Sequence, residues 1–458
     1  MSFARQSLVT FGARLLVSLI NLPISMLIVR TLGVEGQGVY SASVTLTTLW
    51  AVMGLLGIDA AHTYLLAGGR APLGRILANS ILLTLLLAAA LVPSYIFFAG
   101  AVAGDEARDF ARHVRVTSVA VPLILARYFL LSLFLGRKRI DAFNILTMLS
   151  SLSLLGLVIL FVAAMGMGTS GAVLAYVLSA GLLAAAGAVW ILRWLRDPSA
   201  GPLRPSMSSI RFSLAYGLKG HLVTVLSQFN YRFDMILVIR WLGLAAQGYY
   251  SVAVILAEKL THITASVQLV LFPWISGMSK EEADELTPRA CRHTLFWVTA
   301  AGALLFLLGP FLLDLLYTSE LRPALGAFRI LIPGVVALCL SKLLSADLSG
   351  RNRRGLPTVA MAVAFSVNLL LNVLLIPRHG IVGAAWASTA SYTTQTVLTV
   401  AFFRRVSGVR LSSLIIPRAD DVRAYGRLAR RLIRRGGWPP AVSRILPPPP
   451  PLDPEGPA

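Results

Sequence analysis

The chain has 458 residues, of which 56% are hydrophobic and 13% charged, and its mean hydropathy is +0.75. That balance excludes a water-soluble domain of this size and makes the membrane the solvent. The formal net charge of +21 does not point to nucleic acid, because the arginines sit in short connections between apolar runs and near the C-terminal end, where membrane topology accounts for them.

The first segment, MSFARQSLVTFGARLL, has no small-residue cleavage site after a short apolar core, so it is expected to persist as a mature helix. Apolar runs bounded by charged or Gly/Pro-rich breaks predict spans at 8–31, 38–66, 75–100, 115–136, 143–166 and 170–194. The polar segment RDPSAGPLRPSMSSIRFS separates them from further spans at 216–241, 248–275, 292–317, 324–348, 356–376 and 381–403. Each is close to the roughly 20 residues that a hydrocarbon core demands. The expected fold class is an all-α polytopic membrane protein of about twelve transmembrane helices. Its expected domains are two six-helix lobes, residues 1–200 and 201–405, and a basic tail, 406–458. In the tail, DDVRAYGRLARRLIRR at 420–435 reads either as an amphipathic helix on anionic lipid or as a basic extension held inside by charge, and the polyproline end reads as disordered. Cys291 and Cys339 are too few for a disulfide framework and lack metal-ligand neighbours, so they read as packing residues, and no cofactor is expected.

Positive charge alternates between successive connections. Arg70 and Arg75, Arg137 to Arg139, Arg193 to Arg211, Lys280 to Arg292 and Arg351 to Arg354 share one side with both termini. TLGVEGQG, GMGTS, LGLAAQG, SELRP and PRHG occupy the other, which predicts cytoplasmic termini. An internal repeat is the most specific signal. Arg30, Leu32, Gly33, Gln37, Gly38, Tyr40 and Ser41 recur as Arg240, Leu242, Gly243, Gln247, Gly248, Tyr250 and Ser251. LFLGRKR at 133–139 pairs with DLSGRNR at 347–353, and SGAVLAYVLS at 170–179 with VGAAWASTAS at 382–391. An even number of crossings between copies predicts parallel repeats. The repeated glycines, Gly33, Gly38, Gly243 and Gly248, read as tight turns between helices.

Three strings carry a family resemblance: VRTLGVEGQGVYSAS at 29–43, FDMILVIRWLGLAAQGYYSVA at 233–253 and NLLLNVLLIPRHGIVGAAWASTASY at 368–392. Over about residues 1–405 the chain resembles the polysaccharide-export branch of the multidrug, oligosaccharidyl-lipid and polysaccharide exporter superfamily, the lipid-linked oligosaccharide flippases. The resemblance implies two lobes rocking about a central cavity that presents a polyprenyl-diphosphate-linked saccharide first to the cytoplasm and then outside, with cationic side chains meeting the pyrophosphate. Lipid II flippases usually carry more helices than this chain, and drug or cation exporters lack the repeated LG–GxYS pattern. These two remain the alternatives.

A charge at mid-bilayer costs about 2.5 to 3.5 kcal/mol, so each one needs an interior, a cavity or a partner. Arg14 and Arg127 read as diphosphate contacts or as snorkelling and ion-paired groups. Lys342 is a further cationic candidate. Asp234 matches the family's common acidic position, and a salt bridge to Arg14 or Arg232 is the expectation for it. Glu258 and His262, four apart, read as one helical face and a coupling pair for H+ or Na+, or as a structural pair with Lys259. Asn368 and Asn372 could meet sugar hydroxyls, with interhelical hydrogen bonding the competing reading. Expected partners are the lipid-linked saccharide, membrane lipids and polysaccharide-assembly proteins. No Walker, HExxH or GxSxG motif is present in the sequence, which disfavours an ATPase or hydrolase, and the family resemblance implies a transporter, not an enzyme.

Overall fold

The computed structural model describes residues 3–104 and 107–416, and every regular element among them is helical. In chain order these are α1 (Phe3–Gly54), α2 (Ile58–Ala67), α3 (Leu73–Ala103), α4 (Ala107–Ser118), α5 (Ala120–Gly136), α6 (Ile140–Val158), α7 (Gly168–Trp194), α8 (Met207–Glu258), α9 (Thr261–Ile275), α10 (Lys280–Leu316), α11 (Ala324–Gly350), α12 (Gly355–Ser407) and α13 (Leu411–Ile415). Among the described residues, nine helical segments are long and apolar enough to cross a membrane. Large apolar side chains stand exposed on them, Phe97 at 80% and Leu307 at 72%, a surface suited to acyl chains rather than water. The protein is a multi-pass membrane protein.

Three helices are too long for one crossing. α1 and α8 have 52 residues and α12 has 53. At 1.5 Å per residue each contour is about 78 Å, against a hydrocarbon core of about 30 Å. Each is broken at a glycine: Gly33 (φ 69°, ψ −171°), Gly243 (φ 86°, ψ 179°) and Gly380 (φ 59°, ψ −141°). A Cβ is excluded from this region of backbone space, so glycine lets the chain change direction where another residue would be strained. The spans predicted on either side of residues 33, 243 and 380 are therefore two arms of one helical run.

Elsewhere the structure divides what hydropathy joined. The 38–66 run breaks after Gly54, with Gly57 at φ 70° starting α2, and the 248–275 run breaks at a turn over residues 259–260. The 115–136 run breaks between α4 and α5 because Pro122, in the first turn of α5, lacks an N–H and its ring clashes with the carbonyl four residues earlier, at Ser118, the last residue of α4. Hydropathy sees none of these breaks, since the residues remain apolar through them.

The repeat is also written in the backbone. Lys138 and Asn352, matching positions of GRKR and GRNR, are both non-glycine residues at positive φ, 56° and 60°. Each follows a helix end closed by a six-residue hydrogen bond, Arg139 N to Phe134 O at 2.9 Å and Arg353 N to Leu348 O at 2.8 Å. Gly168 and Gly380, matching again, have φ of 62° and 59°.

The chain forms two compact units: Met1–Leu256 with Leu308–Leu331 and Phe365–Ser388, and Ala257–Leu307 with Ile332–Ala364 and Thr389–Ala458. The first has a core around Leu46, Tyr95, Phe110, Ile236 and Ile239 and another around Leu77, Leu133, Phe134, Leu183 and Ile191. In the second, Leu271, Cys291, Leu340, Leu344 and Phe403 pack together, and both cysteines are buried and free. The stretch at 420–435 and the Pro-rich end lie outside the described residues.

Candidate functional site

In the first unit the two copies of the repeat meet each other. Gln37 Nε2 donates to Ser251 Oγ at 3.2 Å, and Gln247 Nε2 donates to Ser41 Oγ at 3.0 Å. These are the same two residue types of each copy, exchanged. The backbones touch there: a Cβ on Gly38 would collide with the carbonyl of Leu244, and one on Gly248 with the carbonyl of Val34. Gly38 and Gly248 thus serve a close helix crossing, in place of the turn expected of them, and the turns fall to Gly33 and Gly243. Beside this clasp lies a cavity of about 410 Å³ lined by polar groups of Glu35, His113 and Thr169. Arg30, at the end of the first arm of α1, donates to the carbonyl of Leu315, and Tyr317 donates to Ser25 at 3.3 Å.

Asp234 is buried and held by three donors: Tyr250 Oη at 2.5 Å, Ser388 Oγ at 2.7 Å and its neighbour's backbone Met235 N at 2.8 Å. A carboxylate accepts through two oxygens, and both are filled here by hydroxyl and amide donors. With Arg232 it shows no ion pair, and the side chain of Arg14, the other expected partner, lies outside what the structure describes. The carboxylate ties the first arm of α8 to the second, which carries Tyr250, and to the second arm of α12, which carries Ser388.

Arg127 lies at the middle of α5, half-buried. Its guanidinium stands 6.0 Å from the Tyr128 ring and within electrostatic reach of Tyr176, whose hydroxyl is 3.0 Å from that of Thr48. Arg127 Nε is buried and makes no hydrogen bond among the described residues, nor does Arg127 form an ion pair among them. The side chain of Arg14 lies outside what the structure describes.

Asn368 and Asn372 are fully buried on α12, and Asn372 Nδ2 donates to Asn368 Oδ1 at 2.8 Å, a bond along one helix where one between helices was the competing reading. Asn368 Nδ2 and Asn372 Oδ1 keep one donor and one acceptor unused among the described residues. In the second unit, Lys342 is half-buried on α11 and its backbone carbonyl accepts from Gln268 Nε2 at 2.6 Å. Glu258 is the last residue of α8 and His262 belongs to α9, with the turn at 259–260 between them. Their spacing of four therefore does not place them on one helical face, although Glu258 still acts on the imidazole electrostatically. An ionic cluster in this unit was not anticipated. Arg351 pairs with Asp347 at 2.7 Å and Asp284 at 2.8 Å, and Thr287 donates to Asp347 at 2.6 Å. An i, i+4 spacing of Asp347 and Arg351 was the signal in the sequence for half of it.

The polysaccharide biosynthesis protein family matches residues 3–279, more than half of the chain. The chain belongs to this family. The lipid II flippase MurJ family matches residues 220–419. Relatives of the family member described here include the probable low-salt glycan biosynthesis flippase Agl15 of Haloferax volcanii, 23% identical over 374 residues, covering 81% of this chain and 76% of that protein. An uncharacterized membrane protein of Methanocaldococcus jannaschii, MJ1068, is 26% identical over 167 residues, covering 35% of this chain and 33% of that protein. The fold resembles that of the lipid II flippase MurJ in an inward closed conformation, with TM-score 0.72 and 17% identity over 90% of this chain and 91% of that one. It also resembles an inward-facing multidrug resistance MATE family transporter of the MOP superfamily, with TM-score 0.69 and 16% identity over 88% of this chain and 98% of that one. The all-helical membrane fold that the resemblance implied is the fold observed among the described residues.

Proposed function

We propose that this protein is a transporter, not an enzyme, which flips a polyprenyl-diphosphate-linked oligosaccharide or polysaccharide repeat unit across the cytoplasmic membrane by alternating access. Its membership of a polysaccharide biosynthesis family and its similarity to a glycan flippase support this reading. The observation that carries it is Arg127. A guanidinium in the middle of a membrane-spanning segment, without an ion pair among the described residues and with its Nε unbonded, is held at the cost of mid-membrane charge unless an anion meets it. A diphosphate matches a guanidinium bidentately. Arg14 and Lys342 are the further cationic groups assigned to the headgroup, Asp234 helps shape the binding region by joining its helix arms, and the unused amide groups of Asn368 and Asn372 suit sugar hydroxyls.

The long helices, crossing twice each, give about twelve crossings with the remaining spans, grouped as parallel lobes 1–200 and 201–405 with both termini cytoplasmic. Coupling is assigned to Glu258 and His262, neighbours across the α8–α9 turn, with H+ or Na+ as the ion. Polysaccharide-assembly proteins are the expected partners.

The test is headgroup flipping in reconstituted vesicles. Arg127→Gln is expected to slow it about tenfold or more, with partial rescue by Arg127→Lys. A wild-type rate in Arg127→Gln would remove that residue from the site, and no movement of any lipid-linked saccharide by the wild-type protein would overturn the function.

A further inference from the structure

A second feature of the first unit bears on where the lipid, as distinct from its headgroup, is held. On the outer side of α3, α5 and α7 a groove of about 550 Å³ opens to the surrounding membrane. Leu85 of α3 and Leu123 and Leu130 of α5 line it, and α7 contributes Gly181, Ala184 and Ala188. Those small residues recur at helical spacing and recess α7 so that α5 becomes the floor. The groove has two hydroxyls, Ser80 and Thr84, and both are already bonded along α3, to Ile76 O at 2.9 Å and Ser80 O at 2.7 Å. It therefore makes no polar demand on an occupant.

Its wall residues are open to the bilayer, Leu85 at 65% and Leu192 at 55% exposure. From Gly181 to Leu192 the groove runs about 16 Å, half the hydrocarbon thickness, and it reaches the end of α7. At that end the charge changes abruptly. Arg193 follows Leu192 directly, Arg196 comes one turn later, Arg75 begins α3, and Arg137 ends α5 with its guanidinium 5.1 Å from the Trp194 ring. Of the nearby acids, Asp141 is paired with Arg139 at 3.0 Å, while Asp197 accepts from Ser199 N at 2.9 Å, stays a carboxylate and lies within the field of Arg137. The rim keeps a net positive charge, with Arg75, Arg137, Arg193 and Arg196 set against the one carboxylate of Asp197.

We propose that this groove is a docking site for the isoprenoid chain of a polyprenyl diphosphate, with the diphosphate at the Arg75–Arg137–Arg193 rim. The inference rests on the flippase reading above. One groove accommodates one chain, whereas a glycerophospholipid brings two chains and a less charged phosphodiester. A helix of a second copy could fill the small-residue face, but it would have to present acid to the rim. The groove would collect the substrate lipid at the Arg-rich membrane face and keep its tail in the bilayer while the headgroup moves.

The experiment uses the full chain in phosphatidylcholine nanodiscs with a diazirine-bearing polyprenyl diphosphate as photoprobe. Labelled peptides should map to α3, α5 and α7, and excess unlabelled polyprenyl diphosphate should remove the labelling, a readout that needs no variant. Ala184→Trp, which fills the groove, should lower labelling about tenfold. Arg137→Gln and Arg193→Gln should each lower it about fivefold while leaving labelling by the uncharged polyprenol unchanged. Equal labelling of these helices by diazirine-bearing phosphatidylcholine, labelling that unlabelled probe cannot displace, or cross-linking of two copies through α7 would overturn the proposal. If wild-type protein flips a lipid-linked saccharide but the groove is not labelled, this inference falls and the flippase reading stands. If the groove is labelled but no saccharide is flipped, the reverse holds.

Discussion

The two copies of the internal repeat keep one piece of chemistry in common and have lost two others. At the helix crossing they are equivalent, with Gln37 bonded to Ser251 and Gln247 to Ser41, and with Gly38 and Gly248 each against the other copy's backbone. Earlier in each copy they differ. Asp234 of the second copy corresponds, at the spacing that relates Arg30 to Arg240, to Ile24 of the first, a buried hydrocarbon. Tyr250 donates to that acid, and Tyr40 has none at the matching place. At the ends of α5 and α11 the backbone is the same, but Arg137 rests on Trp194 while Arg351 pairs with Asp347 and Asp284. Mutual contact explains what was kept: altering one glutamine removes its bond to the other copy's serine, so both are constrained together. Where each copy packs against different neighbours, that constraint is missing and the chemistry diverged.

The sharpest break of this contrast is at the paired arginines. Arg351→Ala would leave Asp347, whose side chain has no exposure, without its cation, an expected loss of about 3 to 5 kcal/mol. Arg137→Ala should lose about 1 kcal/mol, the scale of a cation–π contact. Thermal unfolding of the purified variants in detergent measures both, and equal shifts would erase the difference. Next in size is Asp234→Ala, which removes the acceptor of the Tyr250 and Ser388 hydroxyls at a cost of about 2 to 4 kcal/mol. Asp234→Asn keeps one acceptor and should lose less in the same assay; an equal loss would mean the charge, not the acceptor, is what the site requires. The smallest effect belongs to the clasp. Gln37→Ala and Gln247→Ala should each lose about 1 kcal/mol. In a double-mutant cycle they should be non-additive, since opening one half loosens the other, and strict additivity would reduce the clasp to two independent bonds.

Much of this was legible along the chain, for reasons that differ by residue. The apolar runs read correctly as membrane-crossing because their hydrophobicity is intrinsic, and the repeat announced itself by identity at fixed spacing. The Glu258–His262 pair misread because a spacing of four implies one face only if the helix continues, and the turn at 259–260 interrupts it. For Asp234 the hydroxyl donors of Tyr250 and Ser388 went unread, because sequence shows which charges exist but not which hydroxyls will be folded against them. Arg351 drew notice only as a topological charge, since Asp284 comes from another helix.

The sequence by itself determined the membrane as solvent, the approximate limits of the apolar runs and the existence of an internal repeat, because these depend on what each residue is and how far apart like residues stand. Tertiary structure alone decided that the repeated glutamines reach across to the other copy's serines, and that Asp234 is satisfied by residues 16 and 154 positions away. It also decided that glycine and proline breaks divide or join the apolar runs. Partners are chosen by packing, and a hydrogen bond between distant positions leaves no mark on the chain until the helices that carry it are side by side.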